Sequence, residues 1–450
     1  MNPQRCLRLS SLYSVPMVLL VALLTTPVMA RNEGSTIQEP AEPQPQVDTA
    51  LPIFVVGDGT PASCTKDAIQ FELWAALAAG GGRVFFNCGP SPVTIPITTG
   101  SSGQPLSFFD NTILDGSGRI TLAIGSGPGM VVDGGARVMM RNLTITTNQE
   151  LAPHAILNLG DLTVWECEFH GFAIRSTGSL NIVQSTFFGS GAFLQSAVII
   201  QSGTGSVRRS TFLNSTSFVA GAISNGGTLD ITGSRFIGNK ADFPGGGAIA
   251  NAGVLTIEDS EFSGNAAPLV AGAVLNQGSL TVTNTTFANN GAAGPGGGGI
   301  AGGGTMVIRN CDFLNNRGGA FGGALFVSGD VTIVGGTFSG NHAQTQGGAI
   351  YTMANPLSIS RSVIITNRAE VDGGGIFVGA GSLVQDNNTF IDNFPNDIGP
   401  AASSTSTAAP SSTVDPEAWN TWSRSQVLFS LTASPQEIAA RRAAPQTQQQ

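Results

Sequence analysis

An aromatic or apolar residue returns at a nearly fixed interval from position 187 to position 390. The register runs Phe187, Phe212, Phe236, Phe262, Phe287, Phe313, Phe338, Ile364 and Phe390, with gaps of 24 to 26 residues. From Phe236 onward an Asn follows three positions later, at Asn239, Asn265, Asn290, Asn316, Asn341, Asn367 and Asn393. About ten residues after the aromatic comes a small-small-apolar step, as in Gly221–Ile223, Gly246–Ile249, Gly272–Val274, Gly322–Leu325 and Gly347–Ile350. A third element alternates strictly, at Leu229/Ile231, Leu255/Ile257, Leu280/Val282, Met306/Ile308, Val331/Ile333 and Leu357/Ile359. Each unit thus holds three short strands of period-two patterning, separated by Gly and Asn turns.

A unit of this length without a 3.6-residue stretch excludes helical and leucine-rich repeats. A hairpin array has no need of equal unit lengths. Three strands that return in register let each strand lie on its own counterpart one coil earlier, paired in parallel about 4.8 Å apart. The spacing therefore predicts an all-β, right-handed, single-stranded parallel β-helix with three short strands per coil. Like residues then stack on like: the Phe positions as an internal aromatic ladder, the Asn positions as an amide ladder at a turn. Gly-Gly is expected to turn the backbone at positive φ and to leave room for the next coil.

The pattern persists upstream in looser form, at Thr112–Leu114, Ile120/Leu122, Met130/Val132, Val138/Met140, Leu143/Ile145, Ile156, Leu162/Val164 and Phe169. The gap from Phe169 to Phe187 is 18 residues, so either one coil is short or the register breaks there. Residues 51–100 read as an N-terminal helix-strand cap on repeats spanning 101–398. Thr65 to Ala79 is expected to be helical, capped by Thr65 or Ser63, with Ala68, Phe71, Leu73, Trp74, Ala75 and Leu77 as its apolar face. Arg83 to Asn87 is expected to be a strand, and Cys64 and Cys88, which flank this segment, are the expected disulfide. If Phe169 belongs to the aromatic register, Cys167 and Cys311 both stand two residues before it, six coils or about 29 Å apart, too far to be bridged. They are expected to be free, inward-pointing thiols that act as small apolar residues.

Residues 1–30 have the form of a secretory signal peptide: Arg5 and Arg8, an apolar stretch from Val15 to Leu24, then Val28-Met29-Ala30. Residues 31–50 read as a disordered Pro/Glu/Gln-rich linker. Residues 399–450 read as a mostly disordered tail with a small apolar cluster at Trp419, Trp422, Val427, Leu428, Phe429 and Leu431. The mature chain is expected to be secreted or held at the cell surface, without a transmembrane segment, and monomeric.

The net charge is −9, and Lys occurs at two positions, Lys66 and Lys240. Without a basic stripe, nucleic acid is not an expected partner. Acidic residues are sparse in the repeats. Glu258, Asp259 and Glu261 share a coil, but Thr283/Asn284 and Arg309/Asn310 occupy the equivalent positions in the next coils, so no acidic ladder forms. Asp392 and Asp397 near the last coil read as a polar end-turn. His154, His170 and His342 lie far apart in the repeat count, with nothing to pair with them, and His342 is expected to be exposed. The Gly runs 296–299 and 302–304 lack the Lys-Ser/Thr of a phosphate loop and the Asp spacing of calcium-binding nonapeptides. No catalytic, metal or cofactor site is expected.

The GGAI and FxxN steps, as in Gly347–Ile350 and in Phe262–Asn265 and Phe338–Asn341, resemble the repeats of chlamydial polymorphic outer-membrane proteins. The segment Cys64–Cys88 looks like the N-terminal cap of secreted bacterial proteins of the pectate-lyase-like fold. This resemblance covers roughly residues 60–395 and implies the β-helix fold. Export and a long low-charge scaffold without a catalytic site point to a surface or secreted structural or adhesive rod that binds proteins or glycans. Two alternatives stay open: a polysaccharide lyase or hydrolase, and an autotransporter-like passenger without its own barrel, since about 50 residues follow the repeats, too few for eight membrane strands of about 10 residues.

Overall fold

The computed structural model describes residues 50–98, 104–125, 128–147, 155–171, 174–189, 197–354 and 356–399. The readings for the signal peptide, the linker, His154 and the Trp419–Leu431 cluster lie outside them. The described chain is a parallel β-helix. Its strands form three sheets, of 23, 13 and 7 strands.

One coil shows the plan. Ile249–Asn251 belongs to the second sheet. The chain turns at Ala252-Gly253 and enters the first sheet as Val254–Glu258. It kinks at Asp259, where φ is +49°, and continues in the first sheet as Glu261–Ser263. Ala266–Ala267 forms the two-residue strand of the third sheet before the chain returns to the second at Val274–Asn276. Every element pairs in parallel with its counterpart: Leu255 with Leu280, Phe262 with Phe287, Ile249 with Val274. The alternating and aromatic strands thus share one bent sheet, and the kink lets both point their apolar side chains inward.

The interior follows from that register. Phe187, Phe212, Phe236, Phe262, Phe287, Phe313 and Phe338 are fully buried. Successive rings from Phe169 to Phe338 lie 4.6 to 4.9 Å apart, with interplanar angles of 10° or less. Each buried ring stabilises the rod by about 1.5–3 kcal/mol through lost apolar surface. Ile364 continues the column, and Phe390, which pairs with it on the last rung, is half-buried.

The 18-residue interval is a short coil with the register intact, since Phe169 pairs with Phe187 and with Ile145. Three residues separate His170 from Ile174, against ten between Ser263 and Val274. The shortening falls in the connection that carries the third sheet elsewhere, so the two larger sheets continue undisturbed.

The second sheet is covered on both faces. Its outward residues Ile200, Ala250, Leu275, Ala301 and Phe326 pack under Phe218, Val219, Val270, Ala271 and Phe321 from the returning loops. The loops lie close because glycine is present. A Cβ on Gly247 would strike the carbonyl of Gly272, and one on Gly272 that of Gly298. Positive φ occurs at the first glycine of three later steps, Gly322, Gly347 and Gly373, and not at Gly246 or Gly247. Close approach between coils, rather than backbone handedness, is therefore what most of these glycines supply.

At the N-terminal end, β1 (Ile53–Val56) pairs with β2 (Gly82–Phe86), and β2 pairs with Thr112–Asp115 of the first long strand. Between them, α1 (Lys66–Ala78) packs on the end of the core. Thr65 caps it by accepting from the Ala68 amide. Its buried residues are Ile69, Leu73 and Ala76, an i, i+4, i+7 stripe. Phe71, Trp74 and Leu77 are exposed, contrary to the face expected from sequence. The true stripe is rotated by about one position because the smaller Ala76, not Leu77, fits against β2. Cys64 and Cys88 are disulfide-bonded, with Cα atoms 5.7 Å apart.

Candidate functional site

Three polar columns run through the rod. The first is built on the Asn three residues after the aromatic. Asn265 Nδ2 donates to Asn290 Oδ1 (2.9 Å) and to the Phe236 carbonyl (2.9 Å), while Asn265 Oδ1 accepts from the backbone and side-chain amides of Asn239. Each Asn therefore clips its own coil to both neighbours. The same bonds recur through Asn290, Asn316, Asn341, Asn367 and Asn393. At the end of the column Asn393 Nδ2 donates to Asp397 Oδ1 (2.9 Å), so a carboxylate stands where the next amide would be.

A second amide column escapes the aromatic register. It lies at the end of each second-sheet strand, where Asn225 Nδ2 donates to Asn251 Oδ1 and Asn251 Nδ2 to Asn276 Oδ1, both at 2.7 Å. The column stops at Gly302, the partner of Asn276.

The third column holds hydroxyls at the kink of the first sheet. The backbone amides of Ser185, Ser210 and Ser234 donate to the Oγ of Ser210, Ser234 and Ser260. Each hydroxyl in turn donates to the carbonyl two residues back, as Ser260 Oγ does to Glu258. Cys167 and Cys311 occupy rungs of this column. Both are free and buried. Cys311 Sγ donates to the Arg309 carbonyl (3.1 Å) and Cys167 Sγ to that of Trp165 (3.4 Å). They stand in for serine rather than for an apolar residue. Burial pushes the Cys167 thiol up to about 12 and the Cys311 thiol up to about 11, so neither forms a nucleophilic thiolate near neutral pH.

On the outer surface the carboxylates of the 258–261 coil are separated. Glu258 stacks on Thr283, Asp259 sits at the kink, and Glu261 accepts from Arg235 Nε (2.9 Å). Among the described residues no group of three or more His, Cys, Asp or Glu is placed to hold a metal. His170 and His342 do have partners. His170 pairs with Glu168 and stacks on Phe188. His342 is 23 % exposed and its Nε2 lies 3.0 Å from Glu370 Oε1, so it is neither as exposed nor as isolated as expected. The strand pairing sets it between Arg317 and Arg368 on the third sheet, where spacing in sequence hides the proximity. Glu370 also accepts from Arg368 Nε and Nη2, and these bonds, with that to His342, hold its carboxyl down at about 2.

A shallow open groove of about 320 Å³ lies at the corner between the second and first sheets. It is lined by Gln277, Ser279, Gly303, Gly304, Thr305 and Asp330, among others. Gly303 and Gly304 of the Gly302–Gly304 run line it, and a Cβ on Gly304 would strike the Gly278 carbonyl of the preceding coil.

A family model for the right-handed β-helix region matches residues 246–413. The chain is a right-handed parallel β-helix protein. No curated protein matches it significantly in sequence. Among solved structures, it is similar to the A-module of the mannuronan C-5 epimerase AlgE4 of Azotobacter vinelandii, at 16 % identity and TM-score 0.38, over 77 % of this chain and 96 % of that one. It is also similar to a tailspike protein mutant of E. coli bacteriophage HK620 in complex with a hexasaccharide, at 13 % identity and TM-score 0.39, over 74 % and 75 % of the two chains. A third likeness is to PfbA, a surface adhesin of Streptococcus pneumoniae, at 12 % identity and TM-score 0.31, over 78 % and 93 %.

Two of the three columns in this β-helix went unnoticed in the sequence, although each left a signal. The second amide column is written as Asn-x-Gly after the small-small-apolar step, as in Asn225–Gly227, Asn251–Gly253 and Asn276–Gly278. The hydroxyl column is written as Ser, Thr or Cys two residues before Phe, as in Ser210, Ser234, Ser260, Thr285 and Cys311. No described helix is long and apolar enough to cross a membrane.

Proposed function

We propose that the protein is an exported scaffold that presents a rigid, repetitive face to surface glycans or proteins. The observation that carries this reading is a row of short polar side chains on the outer face of the first sheet. Thr163, Asn181, Ser206, Asp230, Thr256 and Thr281 hold equivalent positions on six consecutive rungs. Thr332 and Ser358 resume the row beyond Val307. Such a row offers hydrogen-bonding groups at intervals of about 4.8 Å on a surface that costs little ordering entropy to engage. The secretory form of residues 1–30 and the resemblance of the GGAI and FxxN steps to surface-protein repeats both support an extracellular role.

A panel of glycans and cell-surface proteins tests the reading against the wild-type chain and a Thr256→Val/Thr281→Val variant, which removes the hydroxyls without changing charge. These side chains face outward, so the variant keeps its fold by circular dichroism. Loss of a wild-type ligand by tenfold or more supports the face as the binding surface. Unchanged binding of every ligand removes it. Turnover of pectin or a related acidic glycan that disappears in Asp259→Asn replaces the scaffold reading with a catalytic one.

A further inference from the structure

Two arginines and a histidine stand on consecutive strands of the third sheet in a protein of net charge −9. Arg317, His342 and Arg368 occupy the same outward position on three consecutive rungs, in parallel register. The inward neighbours Gly318, Ala343 and Ala369 are small and buried, which fixes the backbone and directs the three longer side chains away from the core. Glu370 lies two residues beyond Arg368. The corresponding places on the two preceding rungs are Gly319 and Gln344, so the carboxylate is not repeated. Glu370 is shared between Arg368 and His342, at 3.1 and 3.0 Å. Arg317 is exposed and has no partner among the described residues, and His342 Nδ1 is buried without one. The Arg368 guanidinium sits 5.0 Å from the centroid of the Phe394 ring, itself half-exposed, which holds that end of the column in place.

We propose that the Arg317–His342–Arg368 column binds the acidic groups of a linear anionic polysaccharide, a uronate or sulfate polymer. This rests on the scaffold reading and gives it a ligand class and a second contact surface. Side chains that leave consecutive rungs in parallel do not converge on one point, as an isolated phosphate requires. They form a line of nitrogen groups over about 10 Å, at about 4.8 Å per rung, with a guanidinium at each end, which suits a chain with repeated acidic groups. Nucleic acid is also a linear polyanion, but it needs many phosphate contacts to bind at physiological salt. Two arginines and a histidine in an acidic protein do not supply them.

The full chain is titrated with polygalacturonate, heparin, neutral dextran and a DNA duplex. The expected result is binding to one of the two acidic polysaccharides, weakened by salt, with dextran and DNA much weaker. Arg317→Ala lowers affinity by roughly fivefold, the scale of one exposed charge contact. Arg317→Ala/Arg368→Ala lowers it further. Glu370→Gln removes a negative charge from the column, frees the Arg368 guanidinium and raises affinity. A variant that merely disturbs the fold weakens binding, so the opposite sign in Glu370→Gln separates recognition from damage. Equal affinity in the wild type and the double variant overturns the proposal, as does failure of both acidic polymers to bind, or DNA binding as tight as theirs. None of these outcomes depends on the first-sheet row. The charge-neutral Thr256→Val/Thr281→Val variant judges the scaffold reading separately.

Discussion

Asn265 shows how much one side chain can do when its neighbours are copies of itself. Its amide and carbonyl groups make bonds to the coil on either side, within a core where water cannot replace them. Asn265→Ala takes the acceptor from the Asn239 backbone amide and the side-chain donor from the Phe236 carbonyl, while the Asn239 side-chain amide keeps the Phe212 carbonyl; we expect it to cost about 2–4 kcal/mol, since buried polar groups left unpaired lose about 1–3 kcal/mol each. Chemical denaturation of the variant measures this. The cysteines make the converse case. Because Cys311 Sγ already bonds as its serine neighbours do, Cys311→Ser and Cys167→Ser should change stability by less than about 1 kcal/mol, within the range of well-fitted buried swaps. An apolar site would punish a hydroxyl by more, so a loss of several kcal/mol refutes the serine-like role. Thiol labelling gives an independent check. With pKa values pushed up to about 12 and about 11, both thiols should resist iodoacetamide at pH 8 in the native chain and react on unfolding.

At the scale of elements, the sequence reveals strands that repeat and conceals those that do not. The rungs were legible because each buried face recurs on the next coil, so Phe236 and Phe262 report the same environment twice. The helix α1 occurs once and has no such redundancy. Its exposed Phe71 and Trp74 are larger than its buried Ala76, and composition alone placed the apolar face wrongly. We expect Leu73→Ala to destabilise the cap by about 2–5 kcal/mol, as truncation of a buried Leu does. Phe71→Ser and Trp74→Gln should cost no more than about 0.5 kcal/mol, as for exposed positions. Reversal of that order would restore the face expected from sequence. The cationic column on the third sheet was hidden for a different reason. Its members lie 25 and 26 residues apart, on two-residue strands whose only sequence mark is a small residue after the charge. Proximity there is a consequence of the coil length, and becomes visible once the register is known.

At the scale of the whole molecule, the described coils form a one-dimensional stack, and that governs how it fails. Each coil touches the coil before and the coil after, so its stability is a local property plus two interface contributions. Phe287→Asp is therefore expected to open the rod around its own rung. A carboxylate there replaces a fully buried ring between Phe262 and Phe313, where an ionised group has no partner and its burial is too costly to sustain. Hydrogen exchange by mass spectrometry should show lost protection in peptides covering about one coil on either side, from Phe262 to Phe313. Peptides from α1 and from Leu162–Phe187 should keep wild-type rates. In a globular domain with a single cooperative core the same substitution lowers protection everywhere. Uniform loss of protection across the chain would mean that the coils are coupled more tightly than nearest-neighbour stacking allows. A loss confined to the rungs around position 287 would show that the repeat seen in the sequence is also the unit of stability.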